Sequence, residues 1–192
     1  MIESKDGVGP PKWDILELAY HAMCATVTSD INEHLPLLRW LSERSQVVVE
    51  MGVRAGVSTI ALMAGRPARL VSYDITWHDG LGIHMDIAAQ VGAKWEFRKE
   101  SSLTCEIPNC DLLFIDTLHT YAQLSRELER HHQQVVQWIA MHDLASFGER
   151  GEDGTEPGLR QAVTEFLVVH PEWKIVEDRK NNNGLMVLER KP

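Results

Sequence analysis

The run Gln46-Val-Val-Val-Glu50-Met-Gly52-Val-Arg54-Ala-Gly56-Val-Ser58-Thr59 decides the fold. Its first half is β-branched and apolar, as a strand covered on both faces should be. Two glycines then break the chain, and residues 58–65 follow with helical spacing. The same unit recurs downstream. Strand-like stretches at 69–74, 94–98, 111–116 and 136–141 are separated by helix-period stretches at 84–91 and 121–134, and a further helix is predicted at 158–169. Strand, helix, strand in series means a parallel sheet with helices on both sides. The end of the chain differs, because 173–179 and 185–189 flank Asn181-Asn-Asn-Gly184 with no helix between them. Asn and Gly tolerate positive φ, so a tight hairpin is predicted there, with an antiparallel last strand. Two helical segments, 13–24 and 30–43, precede the first strand. Ser29 or Asp30 can cap the second, but Pro36 sits late for a first-turn proline, which moves the expected start downstream. The fold class is α/β: a doubly wound sheet of about seven strands, mostly parallel.

Composition excludes several alternatives. The 192 residues are 44% apolar and 24% charged, ordinary for a folded protein and long enough for one domain over the whole chain, with 1–45 a helical arm and 46–192 the core. The longest unbroken apolar run, Ile60 to Ala64, is far too short to span a bilayer. No basic segment followed by an apolar one opens the chain, so no secretion signal is expected. Three cysteines, Cys24, Cys105 and Cys110, suit reduced thiols in a cytoplasm, and the last two lack metal-ligand spacing. A net charge of −9 repels phosphate backbones, so nucleic acid is a poor default partner, and no membrane partner is expected.

In a doubly wound sheet, ligands bind beyond the carboxyl ends of the strands. Three strand ends carry suggestive residues. The first is the glycine loop, where Gly52 permits a sharp turn, Gly56 permits close approach of a ligand, and Ser58 opens a helix. A dinucleotide-binding loop would want glycine at position 54, where Arg54 stands. The second strand ends in Asp74, placed to accept both ribose hydroxyls of a nucleoside; the third ends at Glu100-Ser101-Ser102. A plain strand-to-helix turn and a helix-capping aspartate are the bland alternatives. The acid Glu50 before a widely spaced glycine pair resembles the loop of class I S-adenosylmethionine (SAM)-dependent methyltransferases, whose fold is Rossmann-like. That resemblance implies SAM as cofactor, with Glu50, Gly52, Arg54, Gly56, Ser58, Asp74, Glu100 and Ser101 around it; Arg54 would meet its carboxylate and an acid or serine would hold adenine.

The fourth strand ends Ile115-Asp116-Thr-Leu-His119-Thr-Tyr121 and the fifth ends Met141-His142-Asp143. Neighbouring strand ends would bring Asp116, His119, His142 and Asp143 together. Oxygen ligands suit Mg²⁺, and a nitrogen ligand biases the choice toward Mn²⁺, Fe²⁺ or Zn²⁺. These segments resemble the metal-dependent small-molecule O-methyltransferases: catechol, macrolide-sugar and cephamycin-type enzymes and the wider methyltransferase family 24. The resemblance implies methyl transfer to a hydroxyl of a small molecule or sugar. By position it makes Asp116, His142 and Asp143 the metal ligands and His119 the general base beside Asp116. It covers about residues 46–188. One departure is plain: the group usually has an acid where His142 stands. Adjacent strand residues also point to opposite faces, so only Asp143 reaches the site unless the strand has already ended, which would leave a metal-free site with His119 acting alone. A SAM-binding module without catalysis would need only the glycine loop and Asp74.

Lesser features have two readings. The acidic, glycine-rich stretch 147–158 is either a lid over substrate or a long solvated connection. Residues 30–34 either cover the cofactor or form a capped surface helix, the preferred reading for Glu33. Trp13, Trp40, Trp77, Trp95, Trp138 and Trp173 are mostly core by spacing, with Trp77-His78 a weak candidate to flank adenine. His131-His132 are read as bystanders on a polar helix end, and the lack of a cysteine pair speaks against zinc there. The oligomeric state stays open, with a homodimer as one option because an N-terminal helical arm often pairs subunits in related enzymes.

Overall fold

A computed structural model describes residues 14–191; Trp13 and the chain start, on which two of the sequence expectations fall, lie outside the described residues. Seven strands form one sheet: β1 Val47–Met51, β2 Arg69–Asp74, β3 Trp95–Lys99, β4 Cys110–Ile115, β5 Val135–His142, β6 Trp173–Arg179 and β7 Leu185–Arg190. Their order is β3-β2-β1-β4-β5-β7-β6. The first five run parallel, and β7 inserts antiparallel between β5 and β6, as the helix-free hairpin requires. Strand alternation then sorts the core into two halves. Val48, Leu70, Leu112, Phe114 and Ala140 face the helices α1 Ile15–Cys24, α2 Leu35–Ser42, α3 Val57–Ala64 and α4 Leu81–Val91. Val49, Val71, Leu113, Ile139 and Leu188 face α5 Tyr121–His131 and α6 Leu159–Val169. Each fully buried Leu or Val side chain adds about 1.5–3 kcal/mol of apolar transfer to this double core.

Several boundaries move for local reasons. α2 begins at Leu35, after a 3₁₀ turn over Asn32–His34, so Pro36 falls in its first turn, where a missing N–H costs nothing. The helix predicted to 134 ends at His131 and tightens into a 3₁₀ turn, Asn-poor and without a glycine to stop it. Trp95, Trp138 and Trp173 are core, but Trp40 and Trp77 are more than a third exposed, which corrects their assignment. His131 and His132 are not on a polar surface either: they are 2% and 4% exposed, because the end of α5 tucks under α6. Cys105 and Cys110 are free, buried thiols, pushed by burial to about 11 and about 12. Among the described residues, no helix is long and apolar enough to cross a membrane.

Sheet order reverses between β1 and β4, so their carboxyl ends part and leave a crevice. The two strand ends nevertheless touch at one point. Asp116 N donates to the Met51 carbonyl at 2.8 Å, and a Cβ on Gly52 would stand 1.8 Å from the Asp116 carbonyl oxygen. With φ at +84°, Gly52 is required twice over, by space and by conformation.

Candidate active site

The glycine loop is held from beneath by Glu50. That carboxylate is fully buried and accepts hydrogen bonds from Ser58 Oγ at 2.6 Å, Thr59 Oγ1 at 2.8 Å and Ser72 Oγ at 2.5 Å. Ser72 in turn accepts from Trp95 Nε1 at 2.9 Å, so one acid ties β1, β2, β3 and α3 together. Burial pushes its pKa up to about 7, against the three hydroxyls that favour its charge. Glu50 therefore lies below the crevice and not in it; it shapes the loop that a ligand would meet. Gly56 has a different neighbour from the expected one. Its φ is +75°, and a Cβ there would meet His84 and Leu81 of α4 at about 3 Å, so the glycine lets a helix approach rather than a ligand.

Asp74 braces the same loop from the side. Its Oδ2 accepts from the amides of Val53 at 2.9 Å and Arg54 at 3.1 Å, and Oδ1 accepts from Thr76 N at 2.9 Å. Arg54 takes a left-handed φ of 48°, unusual for a side-chain-bearing residue, and pairs with Asp30 at 3.6 Å on the open surface. Strain of that kind persists where surrounding bonds over-determine it.

Around this loop the crevice has two lobes of about 480 Å³ each, a volume that suits a nucleoside-sized molecule. Gly52, Val53, Arg54, Asp116 and Thr117 line both. The first lobe runs past Asp74 and His78 to Glu100, Ser101 and Ser102. The second opens between Thr28, Ser29 and Asp30, Ser58, His119 and Asp143. Trp77 stays outside, edge-on to Phe97. A separate cavity of about 270 Å³ against Met63, Pro67 and Lys94 shares no residue with either lobe.

At the floor of the second lobe, four predicted side chains meet. His119 Nε2 lies 2.8 Å from Asp143 Oδ2 and 3.4 Å from Asp116 Oδ1. His142 Nδ1 lies 3.2 Å from Asp143 Oδ2 and 3.6 Å from Asp116 Oδ1. Strand alternation does not separate His142 from Asp143, because β5 ends at His142 and Asp143 turns with φ at +67°. That left-handed step swings both onto one side. Burial opposes charge on both imidazoles, but the Asp116 and Asp143 carboxylates outweigh it and hold each up to about 10. Conversely, despite burial, the two histidines hold Asp143 well below the usual carboxylate range, and Asp116 is lowered likewise.

These groups fit a divalent cation. One ligand atom from each of Asp116, His142 and Asp143 lies within 4.8 Å of the others. His142 Nε2 donates to the Asn182 carbonyl at 3.1 Å, which fixes the ring so that Nδ1 faces the carboxylates. Asp143 Oδ1 is buried without a hydrogen-bond partner, an unusual cost unless something else binds it. Two carboxylates and one imidazole are a donor set for Mn²⁺, Fe²⁺ or Zn²⁺ as readily as for Mg²⁺.

Several contributors were not read from the sequence. Glu152, from the 147–158 stretch, bonds His119 Nδ1 at 2.6 Å, its amide donates to the His119 carbonyl at 3.0 Å, and Phe147 stacks on the same ring at 4.8 Å. That stretch thus orients His119. Glu127 on α5 is fully buried and accepts from Ser102 Oγ, Thr117 Oγ1 and Gln123 Nε2. An acid amid Leu124, Leu128 and His131 on an apolar helix face was its one sequence signal. The Asn181–Gly184 turn is more than a hairpin. His34 and His142 both place Nε2 within 3.1 Å of the Asn182 carbonyl, and the Asn182 side chain bonds Glu33 N and Ser29 O. It latches the N-terminal arm to the end of β5.

No protein-family model matches the chain, and no curated protein matches it in sequence. Solved structures do. The O-methyltransferase of Bacillus cereus, in complex with S-adenosylhomocysteine, superposes with a TM-score of 0.67 at 17% identity, over 96% of this chain and 94% of that one. A methyltransferase of Podospora anserina bound to the same molecule gives 0.64 at 12% identity, over 92% and 88%. The N-methyltransferase NodS of Bradyrhizobium japonicum gives 0.58 at 15%, over 85% and 97%. At such identities the likeness is one of fold: the chain has the Rossmann-like fold of the class I SAM-dependent methyltransferases. Oxygen and nitrogen acceptors occur among those three, so the acceptor atom has to be argued from the site.

Proposed function

We propose that this chain is a SAM-dependent methyltransferase that methylates a hydroxyl of a small molecule or sugar, with His119 as general base and Asp116, His142 and Asp143 as ligands to a divalent cation. The observation that carries it is the His119 imidazole between Asp116 and Asp143, opening onto the lobe beside the glycine loop. In this reading the adenosyl group fills the first lobe, with ribose at Asp74, whose carboxylate oxygens have lone pairs left beside the loop amides, and adenine at Glu100 and Ser101. Arg54 faces the carboxylate end. The acceptor enters the second lobe and its oxygen attacks the sulfonium methyl in line: the C–O bond forms as the C–S bond breaks, and S-adenosylhomocysteine leaves. The hydroxyl proton goes to His119 Nε2, the nitrogen that faces Asp143 and Asp116, while Nδ1 is held by Glu152. Holding the two reactants in line supplies roughly 7–11 kcal/mol of the acceleration. A divalent cation at the cluster would polarise the hydroxyl and offset the two carboxylates, freeing Nε2 to accept a proton at neutral pH.

The net charge of −9 argues for a small acceptor over nucleic acid. The free cysteines suit a reducing compartment such as the cytoplasm. Calorimetric titration tests the proposal. SAM should bind one per chain, Asp74→Ala should weaken it at least tenfold, and Mn²⁺ should bind wild type but not Asp143→Asn. A module without catalysis should bind SAM, ignore the metal and transfer no methyl group; a chain that binds NADH and not SAM refutes the proposal.

A further inference from the structure

A second cluster lies at the other end of α5. Glu129 and His132 are three residues apart where α5 gives way to its 3₁₀ turn, and His170 caps the end of α6. One ligand atom from each of Glu129, His132 and His170 lies within 4.8 Å of the others. Glu172, at the start of the run into β6, flanks the group from the other edge of the His170 ring: its Oε1 is 3.5 Å from His170 Nδ1 and 3.9 Å from His132 Nδ1. His170 Nε2 stands 3.1 Å from Glu129 Oε2, and the two imidazole rings are 4.0 Å apart between centres.

His132 is what sets this cluster apart from a surface group of charges. Its ring is 4% exposed, and neither of its nitrogens has a hydrogen-bond partner. An imidazole buried in that state forfeits the water it gave up. On its apolar side it meets Phe166 edge-on, and on the other it faces two carboxylates and a second imidazole, which are lone-pair donors to a cation. The nearby Arg190 does not fill this role, since its guanidinium lies over Trp173 and donates to the His132 carbonyl. Both α5 and α6 also end here, so the negative ends of two helix dipoles converge on the spot.

We propose that Glu129, His132 and His170 form a binding site for a borderline divalent cation, with Zn²⁺ as its representative, distinct from the cluster in the crevice. Two imidazoles and one carboxylate give an ion three ligands and leave a fourth position for water, a set that suits Zn²⁺ over Mg²⁺ or Ca²⁺. No cysteine is required for that coordination. The length of α5, about 16 Å at 1.5 Å per residue, separates the site from the crevice. Its effect would be structural: a bound ion ties α5 to α6, and ligation of the folded chain raises its stability.

The test uses chain stripped with a chelator and carrying Asp143→Asn, so that the crevice cluster does not compete. The site requires that this chain bind one Zn²⁺, that its Tm rise with Zn²⁺ and not with Mg²⁺, and that Co²⁺ give the visible band of a four-coordinate ion. Adding Glu129→Gln or His170→Ala, both at positions with solvent access, should weaken Zn²⁺ at least tenfold and abolish the Tm rise without unfolding the chain. If the Asp143→Asn chain takes up no Zn²⁺, or if its affinity is the same with and without Glu129→Gln and His170→Ala, the site does not exist.

Discussion

At the scale of single residues, Glu50 and His119 show two uses of a titratable side chain. Glu50 is an acid used for architecture. Its pKa stands raised, at about 7 against an ordinary 4.5, so the stability linked to it is fully present below about pH 4.5 and is lost as pH rises through 7. Wild type should therefore lose on the order of 3 kcal/mol between pH 5 and 8 relative to Glu50→Gln in paired urea titrations; parallel curves would contradict this. His119 lies between carboxylates and opens on the second lobe, where the proposed reaction needs a base. His119→Gln should cut turnover by about 10²–10⁴-fold while SAM affinity stays within a few-fold, as steady-state rates and calorimetry can check. Turnover near the wild-type value would remove His119 as the base. Most of the crevice cluster was legible because strand ends are readable as apolar runs that stop at an acid. What the sequence did not reveal is the turn at Asp143: an aspartate tolerates φ of +67° without announcing it, and only that turn brings His142 alongside.

At the scale of elements, β-branched runs and helical spacing located all seven strands within a residue or two, since local pattern and burial agree there. Contacts between distant elements were not legible. Glu33 and Asn182 are 149 residues apart, and nothing local in either marks the bond between them. The same holds for Glu152 on His119. The Asn182 turn carries a prediction of its own. With φ at 47° and two side-chain hydrogen bonds, Asn182→Ala should cost about 1–3 kcal/mol in urea unfolding, and Asn182→Gly should recover the conformational part. An alanine variant as stable as wild type would mean that the arm is not latched there.

At the scale of the whole molecule, the sheet order β3-β2-β1-β4-β5-β7-β6 makes the crevice, because reversal between β1 and β4 parts their carboxyl ends beside Gly52 and Asp116. The loop at its centre is fixed from below by Glu50 and from the side by Asp74, so the pocket is formed before a ligand arrives. The second lobe is lined by this framework and also by the arm, through Thr26, Thr28, Ser29, Asp30 and Ile31. A crystal grown with S-adenosylhomocysteine and Mn²⁺ tests the central reading most directly. The adenosyl group should lie along Asp74 and Ser101 with its sulfur toward His119, and an anomalous peak for Mn²⁺ should sit among Asp116, His142 and Asp143. Density for the nucleoside elsewhere, or a crevice still vacant at saturating ligand, would contradict it.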